Sequence, residues 1–311
     1  MRIVSLIASA TEIVHALGMG DCQVGRSHEC DYPSSVLNLP VVTEPKFRLD
    51  GSSYEIDQRI KAILQEGLSV YRVLADRLDH LHPDVIITQT QCAVCAVSLS
   101  DIEKAVCEMI SSRPRIVALE PNSLADIFAD IRQVARALAI PQAGETLTDE
   151  MRRRMKAIAI RAGSLANHPT VALIEWIDPL MAAGNWMPSL VEMAGGRDLY
   201  GAPGKHSGVL SWDNLVASDP DAIIVAPCGY TIEQSLAELE RLSRPPGWSD
   251  LSAVRSGRVF VADGNRFFNR PGPRVTETLE ILAEILHPAI FTFGHEGSGW
   301  IRFNQGAGPS L

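Results

Sequence analysis

Cys92-Ala93-Val94-Cys95 is a Cys-x-x-Cys pair, a spacing that lets two sulfurs share one metal ion or close a redox disulfide. His28 and Cys30 offer an imidazole and another thiol in a separate loop. Together, His28, Cys30, Cys92 and Cys95 could complete a four-ligand zinc or iron site, since thiolate and imidazole are the donors both metals accept. A thiolate beside His28 could alternatively act as a nucleophile. The plain alternative is packing: cysteine is a small buried hydrophobe, and Cys22 and Cys107, beside helical segments, read that way. The chain has no G-x-S-x-G elbow, no H-E-x-x-H and no Walker loop, and Gly18-Met19-Gly20 lacks the third glycine of a dinucleotide fingerprint.

A second set of residues suits recognition of a flat ligand. Phe, Trp and Tyr make up only 6% of the chain, yet Tyr32, Trp176, Trp186, Tyr230, Phe267 and Phe268 fall in a few loops. Rings with a few polar groups among them, here Gln91 and Asn185, fit a large planar or apolar ligand, and ordinary core packing is the alternative for any one ring. Glu29, Glu175, Arg266 and Arg270 stand at expected strand ends, where a charge needs water, a partner or a ligand. Glu12 and Arg274 lie on helical segments, where solvated faces or local pairs explain them.

These loops need strands and helices to hold them. Ile3 to Ile7, Pro40 to Val42, Asp84 to Thr88 and Arg115 to Leu119 read as strands in the first half, with helices expected from Ile13, Ile56 to Leu64, Val70 to Leu81 and Ser100 to Ile110. Ser123 to Ala139 and Thr148 to Ala166 are helical with no strand between. Strand-helix alternation then resumes: Thr170 to Glu175, Asp221 to Ala226 and Val259 to Val261 as strands, and Pro188 to Ala194, Thr231 to Leu242 and Arg274 to Leu286 as helices. Alternation of this kind implies parallel sheets covered on both faces, with ligands beyond the carboxyl ends of the strands. His82-Pro83-Asp84-Val85-Ile86-Ile87 and Asp219-Pro220-Asp221-Ala222-Ile223-Ile224 rhyme, which points to two similar α/β lobes. The expected division is a lobe over 1–120, a helical connector over 121–168, a second lobe over 169–290, and a flexible, Gly-rich tail over 291–311.

Composition narrows the function. The 311 residues are 46% hydrophobic and 21% charged, enough apolar material for two cores. Lys and Arg total 28 against 37 Asp and Glu, a net charge of −9, so no basic surplus exists to hold nucleic acid. No apolar run approaches the length of a membrane-spanning helix. Residues 1–7 carry no secretory-signal pattern, so as written the chain is expected to be cytoplasmic, and periplasmic or extracellular only if an export signal has been removed.

From Arg2 to Pro288 the chain resembles the class III substrate-binding proteins of ABC importers for iron-siderophores and cobalamin, and among them the signal-less cobalamin-binding subgroup. The resemblance is carried by Arg2-Ile3-Val4-Ser5-Leu6 with Ser9-Ala10-Thr11-Glu12-Ile13, Val24-Gly25 with Asp31-Tyr32-Pro33, Leu81 to Ile86, Pro188 to Gly196, and Arg270 to Arg274, in that order. It implies two Rossmann-like α/β lobes joined by a long rigid connector helix, with the ligand in the cleft between them. The resemblance further implies a corrinoid ring clamped by aromatics, and a permease received on one acidic residue per lobe, here Asp76 and Asp213.

The first reading is therefore a non-enzymatic binding protein that holds a corrinoid or metal chelate, with His28, Glu29, Tyr32, Gln91, Glu175, Trp176, Asn185, Trp186, Tyr230, Phe267, Phe268 and Arg270 as contacts, and an ABC permease as partner. The second is a cytosolic metal- or thiol-dependent binder or enzyme that reuses the scaffold through His28, Cys30, Cys92 and Cys95.

Overall fold

The computed structural model describes residues 1–48, 50–65, 70–90, 113–243 and 245–303. The chain forms two compact units, one of residues 1–51, 55–151 and 271–273, the other of residues 52–54, 152–270 and 274 onward.

Short apolar strands make the centre of the first unit. β1 (Ile3–Ser5), β2 (Gln23–Arg26), β5 (Val85–Gln89) and β6 (Arg115–Leu119) form a parallel sheet in the order β2-β1-β5-β6, and a second ladder pairs β3 (Thr43–Pro45) with β4 (Tyr71–Val73) antiparallel. β1 and β5 are buried at every position, as a strand covered on both faces must be. Two expectations fail here. The helix expected from Val70 begins only at Ala75 and ends at His80, because Val70 and Tyr71 instead join the cluster of Val4, Leu78 and Ile86 while β3 takes the backbone hydrogen bonds of β4. The strand expected over Pro40 to Val42 is displaced to Thr43, with Val41 making an isolated bridge to Arg26.

The helix Leu124–Ala137 is capped by Ser123, whose side chain accepts from the Asp126 N–H while the Asp126 carboxylate accepts from the Ser123 N–H. Pro141 does not break the next helix but opens it, as its missing N–H allows at a first turn, and the helix runs Pro141–Gly163. The division between the units falls within it, after Met151.

In the second unit β7 (Thr170–Trp176), β11 (Ala222–Val225) and β12 (Val259–Ala262) run parallel, flanked by the antiparallel β8 (Met181–Ala182), β10 (Gly208–Val209) and β13 (Trp300–Arg302), in the order β10-β8-β7-β11-β12-β13, with β9 (Arg197–Asp198) beside β7. The helix Val275–Leu286 is buried at every position but Glu277.

The rhyming hexapeptides perform one task in both units. His82 and Asp219 adopt left-handed backbones, φ 41° and 39°, ahead of their prolines. The aspartate two residues on then reaches the start of the neighbouring strand: Asp84 accepts the Arg2 N–H at 2.7 Å, and Asp221 accepts the Thr170 N–H and hydroxyl, both at 2.8 Å. Each carboxylate thus ties the first strand of its unit to the strand beside it, β1 to β5 and β7 to β11.

Residues 291–303, expected as part of a loose tail, are packed. Phe291 and Trp300 are buried, and β13 pairs with β12. Two inward-facing glutamates of the helix Val275–Leu286 hold the segment. Glu284 accepts the N–H groups of Phe293 and Gly294 and the Trp300 Nε1–H at 3.0 Å, and Glu280 meets His295 Nε2 at 2.9 Å and Arg154 at 2.8 Å. The Glu280 hydrogen bond is the largest influence on His295 and raises its pKa against burial; burial opposes ionisation of Glu280, but hydrogen bonds from His295 and Arg154 outweigh it and hold the carboxyl below its ordinary value.

A raised histidine stabilises the fold fully below the unfolded value near 6.5 and loses that contribution as pH rises through its folded pKa. At pH 5.5, where Glu280 is also ionised, His295→Ala is expected to cost about 1–2 kcal/mol. The Tm difference between wild type and variant should shrink on going to pH 8.5; a difference that widens instead would show that the ion pair does not anchor the segment.

Candidate functional site

In each unit the loops that leave the carboxyl ends of the parallel strands hold the chemistry-bearing side chains, as the open-sheet geometry dictates.

In the first unit the loop after β2 is shaped by Arg26. Its buried guanidinium donates to the carbonyls of Ser27 and Cys30, both at 3.1 Å, and of Leu37 at 3.3 Å, curling the loop around one cation. That curl sends His28 and Cys30 to different partners. His28 Nδ1 lies 2.8 Å from the Thr43 hydroxyl, which also accepts the His28 N–H and reaches Ser27, and the ring meets Tyr71 edge-on at 4.9 Å. Tyr71 donates to Glu29 at 2.7 Å, so His28, Tyr71 and Glu29 form one cluster. Cys30 is fully buried and its sulfur accepts the Thr11 hydroxyl at 3.0 Å. Tyr32 is exposed.

Burial, reinforced by Arg26 and opposed by Glu44, lowers the His28 pKa to about 4. The imidazole is therefore neutral at pH 7. Its Nε2 is shielded from solvent and has no hydrogen-bond partner among the described residues. A neutral ring oriented through Nδ1, with Nε2 unclaimed among the described residues, has the protonation state of a metal ligand, and Nε2 must be uncovered for a metal to reach it.

Among the described residues no three His, Cys, Asp or Glu side chains gather as a metal group. Gln91, Cys92 and Cys95 lie outside the described residues. Cys22, Cys30 and Cys228 are thiols.

In the second unit, two glycines bring the loops together. A Cβ at Gly184 would fall 2.5 Å from the Lys205 carbonyl oxygen, and one at Gly264 would fall 2.0 Å from that of Pro227, so neither position admits a side chain. Asn185, left-handed at φ 54°, exchanges backbone hydrogen bonds with the Lys205 carbonyl and the Gly204 N–H. This seats the 204–207 segment beside β7, where Ser207 donates to Glu175 at 2.8 Å. Burial raises the Glu175 pKa against that hydrogen bond and the nearby His206. Trp176 and Tyr230 meet edge-on at 5.4 Å. The Tyr230 hydroxyl and the Trp186 indole N–H are both shielded from solvent without a hydrogen-bond partner among the described residues. Burial and Glu238, opposed by Arg241, push Tyr230 up to about 12, so it remains a neutral donor.

After β12, Asp263 accepts the Arg266 N–H at 2.7 Å and starts a turn of π-helix over Gly264–Phe268. Phe267 then lies under two guanidiniums, Arg274 at 4.3 Å and Arg266 at 5.4 Å from the ring centroid. Phe268 is core, and Arg270 is buried with its guanidinium 3.1 Å from Asn265 Oδ1. Asp76 and Asp213 occupy the same kind of place in their respective units, exposed in the first turn of a short helix.

Sequence reasoning did not single out Arg26, Thr43, Tyr71 or Ser207. Arg26 opens a polar loop that the sequence reading does name, Ser207 reaches Glu175 from a segment it does not, and Tyr71 is expected in a helix, where only the β3–β4 pairing turns it toward His28.

Parallel α/β units with functional groups on their strand-end loops are the class III periplasmic binding protein fold. The family model for periplasmic binding proteins matches residues 3–265, and the chain belongs to that family. It is 21% identical over 295 residues to an uncharacterised ABC transporter substrate-binding lipoprotein, YvrC, of Bacillus subtilis, covering 93% of this chain and 81% of that one. It is 22% identical over 283 residues to the vitamin B12-binding protein of Vibrio cholerae, covering 90% and 86%. Among solved structures, the apo form of the periplasmic heme-binding protein RhuT from Roseiflexus sp. RS-1 superposes with a TM-score of 0.68 at 25% identity, over 93% of this chain and 98% of that one. Among the described residues no helix is long and apolar enough to cross a membrane.

The His28 environment yields a direct measurement. In an NMR titration its imidazole resonances are expected to stay in the neutral position down to about pH 5 and to titrate near 4. A midpoint near the ordinary 6.5 would mean that the ring is hydrated and not buried as the structure places it.

Proposed function

We propose that this chain is the substrate-binding component of an ABC importer, that it carries a corrinoid or related metal tetrapyrrole, and that His28 is a ligand to the chelated metal. The observation that carries the ligand assignment is His28 itself: a neutral imidazole, fixed by Thr43 through Nδ1, with Nε2 unclaimed by the described residues. The relatives favour the same class, since one is named for vitamin B12 and one for heme, both metal chelates within a flat macrocycle. Tyr32 in the first unit, and Trp176, Trp186, Tyr230 and Phe267 in the second, supply faces and edges for such a ring; Glu29, Glu175, Asn185 and Arg270 supply polar contacts for its side groups.

Binding would be non-enzymatic, with the permease received at Asp76 and Asp213. The names of the relatives, a lipoprotein and a periplasmic protein, favour a place of work outside the cytoplasmic membrane. The zinc or iron alternative keeps Cys92 and Cys95 but loses support from Cys30, whose sulfur is turned to Thr11.

Cobinamide and heme, each titrated into the purified protein, separate the possibilities. At least one is expected to bind with a Kd of about 1 µM or tighter and to shift its visible absorption, and His28→Ala should abolish the shift and weaken binding by about tenfold or more. Absence of a response to both at tens of micromolar would end the tetrapyrrole assignment.

Reconstitution with the permease in liposomes tests docking. Asp76→Ala and Asp213→Ala are each expected to cut transport by about tenfold with ligand affinity unchanged; wild-type transport by the double variant would remove these residues from the interface.

A further inference from the structure

The second unit has a cavity that the ligand reading does not use. It measures about 510 Å³ and is lined by Asn167, Asp221, Ser252, Arg255, Ser256 and Arg258, with Pro169 completing the wall. Pro169 immediately precedes β7, Asp221 precedes β11 and Arg258 precedes β12, so the cavity opens at the amino ends of the parallel strands, the edge opposite the loops that carry Trp176, Tyr230 and Phe267.

We propose that this cavity is a second binding site, for a small organic phosphate. The charge balance is the first reason. Arg255 and Arg258 line the space, and Arg302 of β13 is near enough to disfavour charge on Arg258. None of the three makes a salt bridge among the described residues. The two carboxylates at this edge are occupied by local structure. Asp219 accepts the Ser252 N–H at 2.6 Å and the Ser252 hydroxyl at 2.7 Å, and Asp221 accepts the N–H and hydroxyl of Thr170. Asp219 and Asp221 remain charged and partly offset Arg255 and Arg258, so three guanidiniums against two carboxylates leave a surplus of one positive charge at this edge, in a chain whose overall charge is −9.

The state of Arg258 is the second reason. Its Nε donates to the Asp221 carbonyl at 3.1 Å, which orients the guanidinium, while its Nη2 is shielded from solvent with no acceptor among the described residues. Burial disfavours the charge on Arg258, and an oxyanion placed against the part of the guanidinium that lines the cavity would favour it. Arg302 is held in place by donating to the Gly257 carbonyl at 2.8 Å and by stacking on Phe260, so its charge is fixed at this edge before any ligand arrives. Several guanidiniums with the Asn167 side chain nearby suit the multiple acceptor oxygens and double charge of a phosphate better than a single carboxylate.

The site is tested by calorimetry at low salt with pyrophosphate and glycerol 3-phosphate as probes and acetate as the carboxylate control. Saturable binding of a phosphate probe, with acetate at least about tenfold weaker, is expected for the wild type. Arg255→Gln and Arg258→Gln should each weaken phosphate binding about tenfold, while Arg258→Lys, which retains the charge, should weaken it less. Arg255 is exposed, so its variant carries the test even if Arg258→Gln does not fold. The same variants should bind cobinamide or heme as the wild type does, which separates this site from the strand-end loops. No saturable phosphate binding, or binding that survives both glutamine substitutions, would overturn the proposal.

Discussion

One carboxylate in each unit sets the frame on which everything else hangs. Asp84 and Asp221 each follow a left-handed residue and a proline, and each reaches sideways to the first residue of an adjacent chain segment, fixing β1 against β5 and β7 against β11. With those two strand pairs in register, the carboxyl ends of the buried strands come out level, and the loops that leave them emerge side by side. A buried parallel strand has no freedom to carry polar side chains along its length, so polar function is displaced to its ends. The opposite edge, where the aspartates work, then becomes a polar surface of its own, and in the second unit it opens into the arginine-lined cavity.

The strand-end loops are held by short polar devices rather than by packing. Arg26 gathers three carbonyls of its loop, and Asp263 caps the turn that presents Phe267. Gly184 and Gly264 allow two backbones to approach where a methyl group would collide. Each device uses a group that is expensive to bury and satisfies it locally, which ties down the backbone of the described loops with hydrogen bonds. His28 and the paired Trp176 and Tyr230 are thereby oriented by protein contacts.

Much of the fold was legible because its signal is local. The strands at Val85–Gln89, Arg115–Leu119, Thr170–Trp176, Ala222–Val225 and Val259–Ala262 are short apolar runs bounded by polar or turn residues, and the helices from Leu124, Ile232 and Val275 show clear periodicity. The short strands β4, β8, β9, β10 and β13 were not legible, because two or three residues carry no period and are strands only by virtue of a neighbour. The same reason hid the packing of residues 291–303: its anchors, Glu280 and Glu284, lie on a helix whose sequence pattern does not reveal what two inward glutamates hold.

The amino-acid sequence by itself determined the class of the protein, the alternation of its elements, its two-unit character and the loops that could carry function, since composition, periodicity and motif order are properties of the chain alone. Tertiary structure decided which groups in those loops act together. It turned Cys30 inward to Thr11 and His28 toward Thr43 and Tyr71, although the two residues are neighbours in sequence, and it brought Ser207 to Glu175 and Arg302 to Arg258 from far along the chain. Side-chain direction and desolvation depend on what a distant segment places nearby, and no local pattern records either.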